Sequence, residues 1–417
     1  MRRAMMVLGA MVFIVSLGYG AGQPLIQPYL LRYLGAVPAS TVAWHVGLLG
    51  GSYLFALFLF APLWGRLSDR HGRVPVLVTG FAAFLVGGAG MALAPNLGAV
   101  YAARLLAGAG AAAIMPTAQA YVADISTTID RSRRFVLLGS AAFAGFLSGP
   151  AFGTWLAGPS MGMAVGQMDS MLNWPALAVA LAGVPLLLLT PWCLGRNSVL
   201  ARSVVLAAEP SRKRFVRASM QLALLTSFAV GTFEVGFNLL GTETLGLTTA
   251  TMAAMFITCS LAMLVAQSTL LLSSVRSRID HHWVAAAFAG SALALVFTSW
   301  VPGAGSLGLM IAVAATGTGM VAPVLSYELL ERQSEAPGKL LGSQAAAGNL
   351  GLALGSMSAG YLFALTPMLP FWTAALVLLV GAALSLAWWG PARMGEIAAG
   401  KARSAQADFQ PTLKGLL

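Results

Sequence analysis

The sequence predicts an all-α membrane protein with twelve transmembrane helices, arranged as two pseudo-symmetric halves of six. Three observations lead to this fold class. Of the 417 residues, 58% are hydrophobic and only 9% are charged, which is too apolar for a soluble chain of this length. The apolar residues form twelve runs of roughly twenty residues each, the length that crosses a bilayer. One nine-residue pattern also recurs about half a chain further on.

The predicted spans follow the chain as six runs, a polar stretch and six more runs. They lie near 5–28, 44–64, 74–95, 98–122, 135–157, 173–194, 217–240, 250–273, 282–300, 305–329, 339–364 and 370–389. The chain is thereby divided into an N-terminal half (1–194), a cytoplasmic linker (195–216), a C-terminal half (217–390) and a cytoplasmic tail (391–417). The run after Met1 has no convincing cleavage site, so we interpret it as a retained span.

The basic residues predict the orientation. With both termini in the cytoplasm, 22 of the 24 Lys and Arg fall in cytoplasmic segments, the exceptions being Arg32 and Arg104. We therefore interpret the net charge of +11 as a topology signal and as contacts with anionic lipids, not as a nucleic-acid surface. Cys193 and Cys259 lack the spacing of a disulfide framework or a metal site, so neither is expected.

The internal repeat joins the two halves. The stretch 137–145, LLGSAAFAG, recurs as 340–348, LLGSQAAAG, displaced by 203 residues. We therefore expect spans 5 and 11 to occupy equivalent positions.

A short polar stretch, 65–73, separates spans 2 and 3 and predicts a tight cytoplasmic turn. Its letters, GRLSDRHGR, match the G-x-L-x-D-R-x-G-R signature of the major facilitator superfamily, which this chain resembles over nearly its whole length. The resemblance implies a major facilitator fold that works by alternating access, with its substrate site at the midplane between the halves. The alternative is that residues 65–73 form an ordinary basic cytoplasmic loop and match the signature by chance.

The resemblance also implies a set of gating residues: Gly65, Asp69, Arg70, Gly72, Arg73 and Asp124. In this family the acidic residue of the signature caps the cytoplasmic N-terminus of span 11, and its last Arg pairs with an acid at the end of span 4. A carboxylate at a helix N-terminus contributes about 0.3–1 kcal/mol, enough to bias two conformations. The two glycines are expected to allow backbone conformations and close approach. The alternative is that these charges only hold the helix ends out of the lipid.

The stretch 104–112, RLLAGAGAA, resembles the R-x-x-x-G-x-G-A-A pattern of drug:proton antiporters in span 4. Ala107 stands where that pattern usually has Gln. An Arg inside a span is costly unless it is paired or hydrated, so Arg104 is a candidate for proton coupling or substrate binding. The alternative is that it lies near the outer end and snorkels to the surface.

Gly145, Gly149, Pro150 and Gly153 in span 5 resemble the antiporter motif of the family, which implies export rather than uptake. Pro150 removes a backbone hydrogen bond and is expected to bend the span. The alternative is a face of small residues that packs against a neighbouring helix.

Glu234 is the only acidic residue well inside any predicted span. Because burying an ionised carboxylate is costly, we expect it to take and release protons or to bind a cationic group. The alternatives are that Glu234 pairs with Arg104 or is hydrated at the outer opening of the cavity.

Polar amides inside the spans are candidates for the substrate cavity: Gln23, Gln27, Gln119, Asn238, Gln267 and Asn349. Amides can bind a polar solute, but they cannot change charge and therefore cannot drive its movement. Pro24 and Pro28 in span 1 are expected to open backbone carbonyls toward the same cavity.

No catalytic triad, phosphate loop, dinucleotide fingerprint or metal-ligand cluster is apparent in the sequence, so we expect neither an enzyme nor a cofactor. The sequence favours a monomeric proton-coupled exporter of a drug-like molecule or polar metabolite in a bacterial inner membrane. Its expected partners are the substrate, protons and lipids. One alternative is export of an endogenous siderophore or metal chelator. Another is a receptor or sensor that does not transport.

Overall fold

The computed structural model describes residues 2–126, 128–157, 173–195, 210–269, 281–300, 303–332 and 337–389. Within these ranges the chain is helical apart from short turns. Most of the predicted linker, residues 196–209, and the whole predicted tail, 391–417, lie outside the described residues.

The described part of the chain contains twelve principal helices. The first six are α1 (Arg2–Gly22, continued by a 3₁₀ turn at Gln23–Leu25 and by Ile26–Leu34), α2 (Ala39–His71), α3 (Arg73–Ala92), α4 (Leu97–Ile125), α5 (Thr128–Ala157) and α6 (Trp174–Cys193). The second six are α7 (Pro210–Leu239, continued by a π-turn at Leu240–Thr244), α8 (Thr249–Thr269), α9 (His281–Phe297), α10 (Ala304–Arg332), α11 (Pro337–Leu365) and α12 (Leu369–Leu384, continued by a π-turn at Ser385–Trp389).

The helices correspond one to one to the predicted spans, and the predicted fold class is confirmed. Ten of them are long and apolar enough to cross a membrane, and α9 is a shorter apolar helix. Several helices begin earlier than predicted, because their hydrogen bonds continue into polar residues that a twenty-residue apolar template leaves out. The clearest case is α7, which starts at Pro210 inside the predicted linker.

The packing of the helices repeats between the two halves. In the first half α1 packs on α5, α2 on α4 and α3 on α6. In the second half α7 packs on α11, α8 on α10 and α9 on α12. The repeated sequences 137–145 and 340–348 lie in α5 and α11, which hold equivalent positions in this arrangement.

The halves meet mainly where α2 packs against α11, with a smaller contact between α5 and α8. We call the side of the α2–α3 turn the inner side, since the sequence predicts it to be cytoplasmic, and the opposite side the outer side. The α2–α11 contact lies toward the outer side. A Cβ on Gly47 would lie 2.7 Å from the backbone oxygen of Ser356 and 2.9 Å from the backbone nitrogen of Gly360, so the backbones of the two helices are in contact.

The turn between α2 and α3 is shorter than predicted. Residues 65–71 are helical, and the only interruption is Gly72, with φ 92° and ψ 164°. This region of φ and ψ is open essentially to glycine alone. The expectation for Gly65 is wrong in this conformation, because Gly65 is helical and a Cβ there would meet nothing within 4 Å.

Candidate functional site

Three aromatic rings stack where α1, α2 and α5 meet. The centroid of Tyr19 lies 5.4 Å from that of Tyr53 and 5.9 Å from that of Phe146, with interplanar angles of 27° and 24°. These are offset-stacked geometries. No pattern in the sequence indicates these three residues, because a Tyr or Phe in an apolar run gives no signal of its own.

Arg104 in α4 lies beside this stack. Its side chain is 4% exposed, and its Cζ sits 4.8 Å from the centroid of Tyr53, within the range of a cation–π contact. Nε and Nη2 have no hydrogen-bond partner. The side chain therefore points into the N-terminal half, and the alternative that it snorkels to the surface is wrong.

Glu234 in α7 faces the same region from the second half. It is half-buried, and it makes no hydrogen bond or ion pair within the described residues. The alternative that it pairs with Arg104 is therefore wrong in this conformation. Tyr19 lies close enough to both Glu234 and Arg104 to interact electrostatically with each of them.

Hydrogen bonds between α1 and the end of α7 join the halves on the outer side. Asn238 donates from Nδ2 to the backbone oxygen of Gln23 at 2.7 Å. The Gln27 amide donates to Glu243 and accepts from the Thr242 hydroxyl. We call these five residues, Gln23, Gln27, Asn238, Thr242 and Glu243, the outer seal.

The outer seal corrects the predicted cavity. Gln23, Gln27 and Asn238 were expected to contact substrate, but they are buried and bond across the halves in this conformation. Buried amides need partners, and the 3₁₀ turn of α1 presents the carbonyl that Asn238 uses. Glu243 was missed because the predicted span ended at 240, whereas the structure continues it through a π-turn.

The other predicted amides divide into two kinds. Gln267 donates from Nε2 to the Gly319 oxygen at 2.9 Å, which ties α8 to α10 within the second half. Gln119 and Asn349 are half-buried and make no hydrogen bond within the described part of the chain. These two remain candidates for substrate contact. Glu328, which no pattern in the sequence indicates, is 7% exposed near the inner end of α10.

Charged residues cluster at the inner end of the first half. Arg73 donates from Nε to Asp124 Oδ2 at 3.0 Å, the pair that the resemblance implies. Its Nη1 contacts Ser68 Oγ at 2.9 Å and Asp69 Oδ1 at 2.5 Å. Arg70 is exposed, as is Asp69, whose side chain is 68% exposed. Asp69 bonds only to Arg73 among the described residues, so the predicted cap on α11 is not formed in this conformation.

The glycines of the predicted antiporter motif hold α5 against α1. A Cβ on Gly149 would lie 2.6 Å from the Ala21 nitrogen, and one on Gly153 would lie 2.5 Å from the Ala21 oxygen. Gly145 meets the Phe13 carbonyl in the same way. Pro150 is buried within a helix that continues on both sides of it. The structure gives the motif a packing role, and its link to export stays a prediction.

These features define a multi-pass membrane transporter built from two similar six-helix halves. Residues 8–334 match the family model of the Major Facilitator Superfamily, and the chain belongs to this superfamily.

The relatives include proteins named for drug resistance. The chain is 24% identical over 393 residues to Multidrug resistance protein 2 of Bacillus subtilis (strain 168), covering 92% of this chain and 94% of that protein. It is 37% identical over 147 residues to the class C tetracycline resistance protein of Escherichia coli. That second match spans only 36% of the tetracycline protein and 35% of this chain.

Solved structures share the fold. A D-xylose-proton symporter superimposes with a TM-score of 0.69 at 16% identity, covering 92% of this chain and 97% of that one. The human organic anion transporter MFSD10 does so with a TM-score of 0.65 at 20% identity, covering 92% of this chain and 99% of that one. At these identities the likeness concerns the fold alone.

Proposed function

We propose that this protein is a proton-coupled secondary transporter that exports a small molecule across the bacterial inner membrane by alternating access. The observation that carries the proposal is the position of Glu234, an unpaired carboxylate directly inward of the outer seal. The names of its relatives, which refer to multidrug and tetracycline resistance, support a drug-like substrate and the outward direction.

Glu234 and Asn238 are four residues apart on one helix, so they lie on the same face, about 6 Å apart along the axis. Asn238 belongs to the outer seal, and Glu234 lies one turn closer to the inner side. The seal therefore stands between Glu234 and the outer side. Since Glu234 is half-buried and has no counter-ion, its charge can change without the loss of an ion pair.

This geometry fits a simple cycle. With the outer seal closed, Glu234 releases its proton toward the inner side, and the substrate enters from there. Opening of the seal exposes Glu234 to the outer side, where the substrate leaves and a proton binds. The cap of Asp69 on the N-terminus of α11, which we call the inner latch, would form in that second conformation. Protons flow inward as substrate moves outward.

The test uses proteoliposomes with an imposed pH gradient and three probes: ethidium, tetracycline and 1-naphthoate. The key variant is Glu234→Gln, which keeps the shape of the side chain but fixes its charge at zero. We expect it to abolish pH-driven transport while downhill exchange continues. If downhill exchange fails as well, Glu234 binds a cationic substrate instead.

The matched control is Glu396→Gln, because the sequence places Glu396 beyond the last predicted span. This variant should transport like the parent protein. Retention of pH-driven accumulation by the Glu234→Gln protein would contradict the proposal.

A further inference from the structure

Arg104 is a buried cation that the proposed proton cycle does not use. We propose that its guanidinium binds a carboxylate group of the transported molecule, which makes the substrate an amphipathic organic carboxylate. This inference rests on the proposed transport function and names the substrate class for it.

The two unpartnered nitrogens of Arg104 are the ones that a carboxylate would use. Nε and Nη2 carry parallel N–H groups on one edge of the guanidinium, and that edge binds two carboxylate oxygens at once. The residue is only 4% exposed, and buried donors without partners are rare in folded proteins. A ligand that supplies two acceptor oxygens would satisfy both.

Tyr53 packs against the guanidinium of Arg104. The ring lies over the group at 4.8 Å, so it covers one face. Gly22 also lies beside the guanidinium, and a Cβ at that position would be 3.6 Å from Nη1 of Arg104. The absence of a side chain at Gly22 keeps room beside the charged group.

Arg104 is one of the residues that line a cavity of about 60 Å³, which has room for several waters or for the head group of a larger ligand. The described residues that line it include no Asp or Glu, so the positive charge is not neutralised there. Most of the lining is apolar, as at Leu25, Leu49, Phe84 and Val179. A negatively charged head on an apolar body fits this combination of one cation and apolar walls.

The test measures binding of 1-naphthoate and of its neutral isostere 1-naphthamide to the full-length protein in lipid nanodiscs, without a pH gradient. We expect the parent protein to bind naphthoate at least about tenfold more tightly than naphthamide, because charge-assisted hydrogen bonds contribute that much or more. Arg104→Gln should lose this preference. Arg104→Lys should keep part of it, since Lys retains the charge without the two parallel donors.

The control is Arg133→Gln, because Arg133 is exposed at the inner end of α5 and should not affect either affinity. Unchanged naphthamide binding by Arg104→Gln would show that this variant is folded. If Arg104→Gln does not fold, the partial preference of Arg104→Lys for naphthoate tests the site instead. The carboxylate site would be overturned if the parent protein bound the two probes equally tightly, or if it bound neither probe. So would an undiminished preference in Arg104→Gln.

The binding assay separates this inference from the proposed function. If the protein transports ethidium in response to a pH gradient but does not prefer naphthoate to naphthamide, the carboxylate site alone is overturned. Selective naphthoate binding by a protein that shows no pH-driven transport of any probe supports the site and contradicts proton-coupled export.

Discussion

Asn238 of α7 and the backbone oxygen of Gln23 in α1 form a hydrogen bond of 2.7 Å that joins the two halves of the protein. The other amide atom of Asn238, Oδ1, is buried without a partner. One hydrogen bond of this kind contributes about 0.5–1.5 kcal/mol net. The outer seal can therefore bias the conformational equilibrium without locking it, as a protein that alternates between two states requires.

We expect Asn238→Ala to shift the protein toward the conformation in which the outer side is open, by about twofold to tenfold in population. Spin labels at Ala36→Cys and Thr248→Cys, both exposed near the outer ends of α1 and α7, would report the change as a longer distance between the labels. Asn349→Ala is the control, because Asn349 makes no hydrogen bond within the described residues. An unchanged distance distribution in Asn238→Ala would show that this bond does not hold the seal.

Asp69→Asn should leave the folded protein intact but reduce transport. The Asp69 side chain is 68% exposed, so its pair with Arg73 contributes little to stability. Loss of the inner latch should lower the transport rate by about twofold to fivefold, the range that a carboxylate at a helix N-terminus provides. The measurement is the initial rate per folded protein, with His71→Gln in the same turn as control. A normal rate in Asp69→Asn would count against the latch.

Gly149→Ala should destabilise the protein, because the new Cβ would lie 2.6 Å from the backbone of α1 and the two helices would have to separate. We expect a loss of about 1–3 kcal/mol, the usual effect of overpacking, seen as a lower melting temperature. Gly139→Ala is the matched control in the same helix, since its Cβ would meet nothing within 4 Å. Equal melting temperatures for the two variants would mean that the motif does not act through packing.

Gly72→Ala should be more harmful than Gly65→Ala, although both glycines belong to the same signature. Gly72 has φ 92° and ψ 164°, where an Ala would be strained by about 1–3 kcal/mol. Gly65 is helical with free space around it, so Ala should be tolerated or slightly stabilising there. The yield of folded protein and its melting temperature test this. A reversed order would place the essential glycine at Gly65.

The sequence by itself determined the number and order of the helices, the α2–α3 turn and the Arg73–Asp124 pair. Lipid requires each spanning segment to satisfy its own backbone, so an apolar run of sufficient length specifies a helix locally. The resemblance carried by residues 65–73 then placed two charges that lie 51 residues apart in the chain into contact.

Only the tertiary structure decided what the polar groups inside the spans do. Gln27 and Glu243 are 216 residues apart, and no local pattern indicates that they meet. The same holds for Arg104, whose surroundings of Tyr53 and Tyr19 come from two other helices. A buried amide or cation takes its role from the partners that helix packing brings within hydrogen-bond distance, and in a transporter those partners change as the halves move.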